Sequence, residues 1–319
     1  MGIRIIPIIG DSHTWGEGVG AERTFVPPVC CGDLRAVPFI YPNYVNLLRD
    51  AIHAESGSSC MEYVWDGGLA VEAGAPLTLA GSFTLARVFF CAEREPAEAV
   101  LTTPGGRTLT VSLQSDSDAW NTCIRVAHVR IPNDGEADGL TVACGAGKRI
   151  LVQRVELYRG EYAVVNCGIG SCPVGRYVDT YFKRYIAPLS PYAILFEGNT
   201  INDWLKTPTP DAYGVDLGRM LEAQRGLTSR ILWHTVTPIG GNQINSRGIA
   251  YDDYVDAMRH VATEGSVEMT DCNALMSEIL AAMPEEERAP YFFADPWHPN
   301  GTGHKLYADM ILPALKAIL

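Results

Sequence analysis

The stretch whose reading decides the fold is IIPIIGDSHTWGEGVG, residues 5–20. An apolar run from Ile3 to Ile9 passes straight into Gly10-Asp11-Ser12 and then into a glycine-studded loop. A short run that is apolar on both faces reads as a strand buried in a parallel sheet. Ser12 then stands at the tip of that strand. Taken alone, Gly-Asp-Ser is ordinary turn chemistry, with Ser12 capping the next helix. A chemical role requires partners from elsewhere in the chain.

Working outward, YPNYVNLLRDAIHAE (Tyr41 to Glu55) reads as a helix, with Pro42 in its first turn and Val45, Leu48 and Ile52 at helical spacing. From about Ser58 to Gly160 the texture changes. The runs SFTLARVFFCAE, EAVLTTPGG, RTLTVSLQS, NTCIRVAHVRI, GLTVACGAG and RILVQRVELYRG are rich in Val, Leu and Thr. Turn signals such as Pro104-Gly105-Gly106, Asn133-Asp134-Gly135 and Ala146-Gly147 separate them. That spacing predicts an all-β sandwich or jelly roll. Strand patterns then return at Tyr162 to Cys167, Tyr192 to Gly198, Arg230 to Pro238 and Ser266 to Asp271. They alternate with helical patterns at Val178 to Ile186, Leu217 to Leu227, Tyr251 to Ala262, Ala274 to Met283 and His304 to Ile318. Strand–helix alternation implies a parallel sheet with helices on both faces. The expectation is a discontinuous α/β domain, 1–57 and 161–319, carrying an inserted β domain, 58–160.

The 319 residues are 47% hydrophobic and 19% charged, enough apolar material for a globular core. The net charge of −12, without a cluster of Lys and Arg, argues against a nucleic-acid surface. No run approaches the roughly 18 apolar residues of a membrane-spanning helix. No signal peptide is visible, which points to the cytoplasm; a secreted chain with its leader removed would read the same way. The sequence does not speak to oligomeric state. Nine cysteines are scattered along it. Cys30-Cys31 and the Cys167/Cys172 pair lack zinc-ligand spacing, so buried free thiols are expected, with no metal and no cofactor.

In an open parallel sheet, ligands bind beyond the carboxyl ends of the strands. The first strand ends at Ser12, the second in NCGIGS, the third in EGNTINDW, and FFADPWHPNGTGH precedes the last helix. Acyl transfer needs a nucleophile, a base, a carboxylate that orients the base, and donors for the developing oxyanion. Ser12, His298 and Asp295 supply the first three, because Asp and His three positions apart can face each other on one bend. Backbone amides after the first two strands and an Asn amide after the third supply the donors. His13 is a poor base, since a residue adjacent to the nucleophile normally points elsewhere. Asp11 reads as a turn stabiliser, His304 as part of the last helix, His234 as the core end of a strand, and Glu285-Glu286-Glu287 as a solvated segment. Trp15, Trp204 and Trp297 each lie within five residues of a candidate, and together they suggest an aromatic rim for a sugar ring or a short acyl group.

GDSHTWGEG, NCGIGS, NTIND and DPWHPNGTGH, in that order, resemble the four sequence blocks of the SGNH (GDSL-type) hydrolases. The resemblance covers residues 1–57 and 161–319. It implies a flavodoxin-like three-layer α/β/α fold and a metal-free serine mechanism. Ser12 would be the nucleophile, His298 the base, Asp295 its partner, and Ser12, Gly170 and Asn202 the oxyanion donors. The chain departs from the family pattern at two places. Thr200 stands where the third block has Gly, with Gly198 two residues upstream, which leaves Asn199 as a rival to Asn202. In the second block the glycine position falls on Gly170 or Ser171. The G-x-S-x-G elbow of other hydrolases is absent.

The expected activity is removal of a short acyl group, acetyl foremost, from a carbohydrate or similar polyol, as a small-molecule or glycan ester. A thioesterase, a lysophospholipase-like hydrolase and an acyltransferase would use the same triad. A carbohydrate-binding protein on a hydrolase scaffold is the non-enzymatic alternative.

Overall fold

The structure is a computed structural model, and it describes residues 2–19, 43–92, 95–114, 124–131, 135–241 and 243–319. The Cys30-Cys31 pair, Cys123, the expected helix start at Tyr41-Pro42 and Asn133-Asp134 of an expected turn lie outside the described residues. The chain divides into two compact units. Among the described residues, one comprises 5–19, 43–51 and 164–319, and the other 2–4 and 52–163.

The chain opens with strand β1 (Arg4–Gly10), the short helix α1 (Ser12–Trp15) and helix α2 (Tyr44–Ser56). Eight antiparallel strands follow: β2 (Ser59–Glu72), β3 (Leu77–Phe83), β4 (Leu85–Cys91), β5 (Glu98–Thr102), β6 (Thr108–Ser112), β7 (Ile124–Arg130), β8 (Ala137–Ala146) and β9 (Arg149–Arg159). They form two sheets, ordered β2-β9-β4-β7 and β3-β8-β5-β6. One apolar cluster draws on both: Val88, Phe90, Val152 and Val155 from the first sheet, Phe83, Leu101, Leu140 and Val142 from the second. Two details differ from the sequence reading. The run expected as one strand across Phe83 and Leu85 is broken at Thr84, which separates β3 from β4. β2 is a long strand despite its Gly67-Gly68 pair, because a register shift between Val64 and Leu69 absorbs the interruption.

The remaining elements are β10 (Tyr162–Gly168), α3 (Val174–Arg176) continuing into the π-helical segment Tyr177–Ile186, β11 (Ile194–Phe196), α4 (Thr200–Lys206), α5 (Pro210–Arg225), β12 (Ile231–His234), α6 (Tyr251–Glu264), β13 (Glu268–Thr270), α7 (Cys272–Ala281), α8 (Glu285–Phe292) and α9 (Gly301–Ile318). The sheet order is β10-β1-β11-β12-β13, with β1, β11, β12 and β13 paired in parallel. Counted along the chain this is 2-1-3-4-5, the flavodoxin-like order. The chain reverses direction across the sheet after β10, so the topological switch lies between β1 and β11. Helices α3, α4, α5 and α6 pack among themselves, whereas α9 packs on α7, β12 and β13. The Tyr44 amide of α2 donates to His304 Nδ1 of α9 at 3.3 Å. Right-handed crossovers put these two groups on opposite faces of the sheet. Among the described residues no helix is long and apolar enough to cross a membrane.

Candidate active site

The site is built at the carboxyl ends of β1 and β11, where an open sheet of this order leaves a crevice. After Gly10 the chain turns at Asp11, whose carboxylate accepts the His13 amide at 3.0 Å and so caps α1. Ser12 is the first residue of that helix and is buried. Ile169 just beyond β10 donates its amide to the Gly10 carbonyl at 3.0 Å, which brings buried Gly170 alongside the turn.

The loop before α9 supplies the base. The Ala294 amide donates to the His298 carbonyl at 2.9 Å, closing the loop. Asp295 Oδ1 accepts the amides of Trp297 and His298, both at 2.8 Å. This Asx-type turn fixes the carboxylate, and Asp295 Oδ2 lies 2.7 Å from His298 Nδ1. A carboxylate accepts only, so Nδ1 carries the hydrogen and Nε2 is the acceptor. Nε2 lies 2.9 Å from Ser12 Oγ. The three residues expected from the sequence are therefore brought into one relay. Partial burial acts to raise the Asp295 pKa, but the hydrogen bonds from His298 and the two loop amides outweigh it and hold the carboxyl below its usual value.

The rival asparagines separate clearly. Asn199 takes a left-handed conformation with φ +54° at the start of α4, and its Nδ2 donates to the Cys172 carbonyl at 2.8 Å. Asn202 lies one turn further on. Its Nδ2 donates to Asp11 Oδ2 at 2.7 Å, and its Oδ1 accepts from Lys206 Nζ at 2.9 Å. Lys206 Nζ also donates to the Ser171 carbonyl. The lysine fixes which way the Asn202 amide faces, turning its NH2 toward the nucleophile turn. Its neighbour Asp203 accepts the Val174 amide at 2.8 Å, and burial pushes its carboxyl up to about 7.

Beneath the serine lies a fully buried set, Asp11, His13 and Glu197. His13 Nδ1 is 3.1 Å from Asp11 Oδ1. Its Nε2 is 2.9 Å from the Trp297 carbonyl and must carry a hydrogen there. Glu197 Oε2 accepts from the Thr14 amide at 2.9 Å and from the Thr14 hydroxyl. Burial acts to raise both carboxyls; the hydrogen bonds and attraction of His13 bring Asp11 well below its usual range, while the adjacent Asp11 charge raises Glu197 further. Donor atoms of the three residues lie within 4.8 Å of one another, a spacing that could hold a metal. Both His13 nitrogens and both Asp11 oxygens are already hydrogen-bonded within the protein. The set therefore works as a brace between the Ser12 turn and the loop bearing His298.

One sequence expectation is corrected. Trp15 and Trp204 are 5% and 3% exposed, and the Trp204 indole donates to the Ile249 carbonyl at 3.0 Å. They are core residues, not parts of a rim. Trp297, 41% exposed, alone of the three offers a ring to solvent. His234 and His304 are buried in β12 and α9, and burial lowers both to about 3. Glu285, Glu286 and Glu287 are exposed in the first turn of α8. Among the described cysteines, Cys91, Cys167, Cys172 and Cys272 are buried, while Cys60 and Cys144 are half-buried. Sequence reasoning missed Glu17, Glu197 and Lys206. The only available signal for Lys206 was its place four residues after Asn202 on one short helix.

No family model matches the chain, and no curated protein matches it. Solved structures do. A peptidoglycan O-acetylesterase superposes with a TM-score of 0.54 at 12% identity, covering 99% of this chain and 91% of that one. LAE5, an α/β hydrolase enzyme from the metagenome of Lake Arreo, Spain, gives 0.51 at 14% identity, covering 100% and 98%. At these identities the likeness is one of fold: a mixed α/β architecture built on a central parallel sheet. This agrees with the resemblance to SGNH hydrolases carried by the four sequence blocks.

Proposed function

We propose that the protein is a serine ester hydrolase that removes short acyl groups, acetyl foremost, from a small molecule or glycan. The observation that carries this reading is the continuous Asp295–His298–Ser12 relay, with links of 2.7 and 2.9 Å, at the switch point of the sheet. Ser12 Oγ attacks the ester carbonyl as its proton passes to His298 Nε2. The carbonyl oxygen becomes an oxyanion facing the amides of Ser12 and Gly170 and the second N–H of Asn202, whose first N–H is held by Asp11. Asn202 is assigned this role over Asn199 because its Nδ2 lies against Asp11 of the nucleophile turn, whereas the Asn199 Nδ2 faces the Cys172 carbonyl. Collapse expels the alcohol, which takes the proton from Nε2. Water then attacks the acyl-Ser12 carbonyl, giving its proton to Nε2, and Ser12 recovers a proton as the acid leaves.

The preference for acetyl rests on the fold shared with a peptidoglycan O-acetylesterase. The two antiparallel sheets with one common core are read as a sandwich module inserted between α2 and β10. Hydrolysis of p-nitrophenyl acetate, butyrate and octanoate by wild type and Ser12→Ala tests the proposal. Activity that is highest on acetate and abolished in the variant is expected. An optimum at octanoate would move the substrate to lipid or thioester, and equal inertness of both proteins would remove the esterase reading.

A further inference from the structure

Glu17 is placed beside the catalytic relay by a turn that tolerates little change. Its amide donates to the Ser12 carbonyl at 2.9 Å, and its own carbonyl accepts from His304 Nε2 at 3.2 Å. His304 Nδ1 faces the Tyr44 amide, so this neutral imidazole spends its one N–H on the Glu17 carbonyl. Gly16 and Gly18 on either side have φ of +110° and +95°. A Cβ on Gly16 would lie 2.4 Å from Asn43 Nδ2, and one on Gly18 would lie 2.3 Å from the Pro299 carbonyl oxygen. Only glycines allow this approach. The outcome is that Glu17 Oε2 sits 3.6 Å from His298 Nε2, with the side chain still 38% exposed.

That nitrogen is the one facing Ser12 Oγ. In ester hydrolysis it is also the atom from which the departing alcohol collects its proton. The two ends of the site therefore differ in charge. The cation of Lys206 stands behind Asn202 on the oxyanion side, and the carboxylate of Glu17 stands where the alcohol leaves. We infer that Glu17 is a specificity determinant for the alcohol half of the ester, selecting leaving groups that are cationic or are neutral hydrogen-bond donors and rejecting anionic ones. The inference rests on the serine-esterase reading and adds the charge class of its substrate. A carboxylate in this place accepts hydrogen bonds from hydroxyl or ammonium groups of the alcohol, and it repels a second carboxylate through a short, partly desolvated gap.

The test uses three acetates of similar shape: 4-acetoxybenzoate (anionic), 4-acetoxybenzamide (neutral) and 4-(trimethylammonio)phenyl acetate (cationic). kcat/KM is measured for wild type, Glu17→Gln and Glu17→Asp at low salt and in about 0.5 M NaCl. Wild type is expected to favour the cationic over the anionic ester by roughly tenfold or more at low salt. High salt should compress that ratio, since partly exposed charges are screened. Glu17→Gln should bring the ratio to within about twofold of unity, and Glu17→Asp should keep most of it. The salt series on wild type needs no variant, and thermal melting confirms that each variant is folded. A wild-type ratio near one, or a ratio that survives in Glu17→Gln, overturns the assignment of Glu17 while leaving the esterase standing. Failure of wild type to hydrolyse any of the three overturns the esterase reading itself.

Discussion

Two carboxylate–histidine pairs lie side by side at this strand tip, with imidazole centroids 5.3 Å apart. Asp295–His298 and Asp11–His13 use the same chemical pair and differ in the third group. His298 Nε2 meets the hydroxyl of Ser12, whereas His13 Nε2 meets the carbonyl of Trp297. They differ in surroundings too. The Asp295 side chain is 44% exposed, while Asp11 and His13 are completely enclosed. A carboxylate–imidazole pair becomes a base only where its outer nitrogen faces a group that can give up a proton. Facing a backbone carbonyl, the same pair is a clamp.

The sharpest way to break the comparison is to delete each imidazole. His298→Ala should lower kcat by about 10⁴-fold, equivalent to about 5 kcal/mol of barrier. Its stability should change by no more than about 1 kcal/mol, because the Asp295 carboxylate left without its partner is 44% exposed and stays hydrated. His13→Ala should invert the pattern. Leaving the buried Asp11 without its partner should cost about 3 kcal/mol of stability, and the loosened loop should lower kcat by only about 10- to 100-fold. Urea unfolding and ester hydrolysis on both variants decide the matter. Equal activity losses, or a His13 variant as stable as wild type, would end the distinction.

The active pair was legible in the sequence and the bracing pair was not. Asp295 and His298 are three residues apart on one bend, and that spacing nearly dictates their contact. The strand ends were legible for a similar reason: apolar runs stop where the sheet stops, which located Ser12 and the block containing Asn202. The brace depends on residues 284 apart, His13 and Trp297, and no local pattern reports such a contact. Glu197 falls within the strand expected over Tyr192 to Gly198, and only the fold reveals that it is sealed beneath Thr14. The tryptophans failed differently. Proximity in sequence gives distance from the site but not direction, and α1 and α4 turn Trp15 and Trp204 into the core. α4 itself escaped notice because it is seven residues long and starts from a left-handed Asn199. β2 was hidden by its glycine pair.

Acid sharpens the comparison by a smaller amount. Both carboxyls are held below the ordinary Asp value of 3.8. In the unfolded chain each takes up its proton near that value, so each contributes stability that is present above about pH 4 and is lost as pH falls through its folded value. The enclosed Asp11 should dominate this term, and the part-exposed Asp295 should add little once solvent screening is allowed for. Urea midpoints between pH 3 and pH 6 should therefore fall less steeply in Asp11→Asn than in wild type, although that variant starts from lower stability. Asp295→Asn should follow the wild-type slope closely. A steeper change in the Asp295 variant would reverse the ranking of the two pairs.

The smallest effect concerns Trp297, which belongs to both pairs at once. Its carbonyl holds His13 and its amide is held by Asp295, while its ring is turned to solvent. Trp297→Ala keeps both backbone links, so the brace and the relay should survive and stability should stay within about 0.5 kcal/mol of wild type, as at other exposed positions. What is removed is an aromatic surface next to the base, which would stack against the ring of a bound sugar or aryl alcohol. KM for an aryl or glycosyl acetate should rise severalfold with kcat nearly unchanged, the pattern of lost uniform binding. A fall in kcat with KM unchanged would instead mean that the ring positions the Asp295–His298 loop, and the division between backbone clamp and side-chain contact would have to be redrawn.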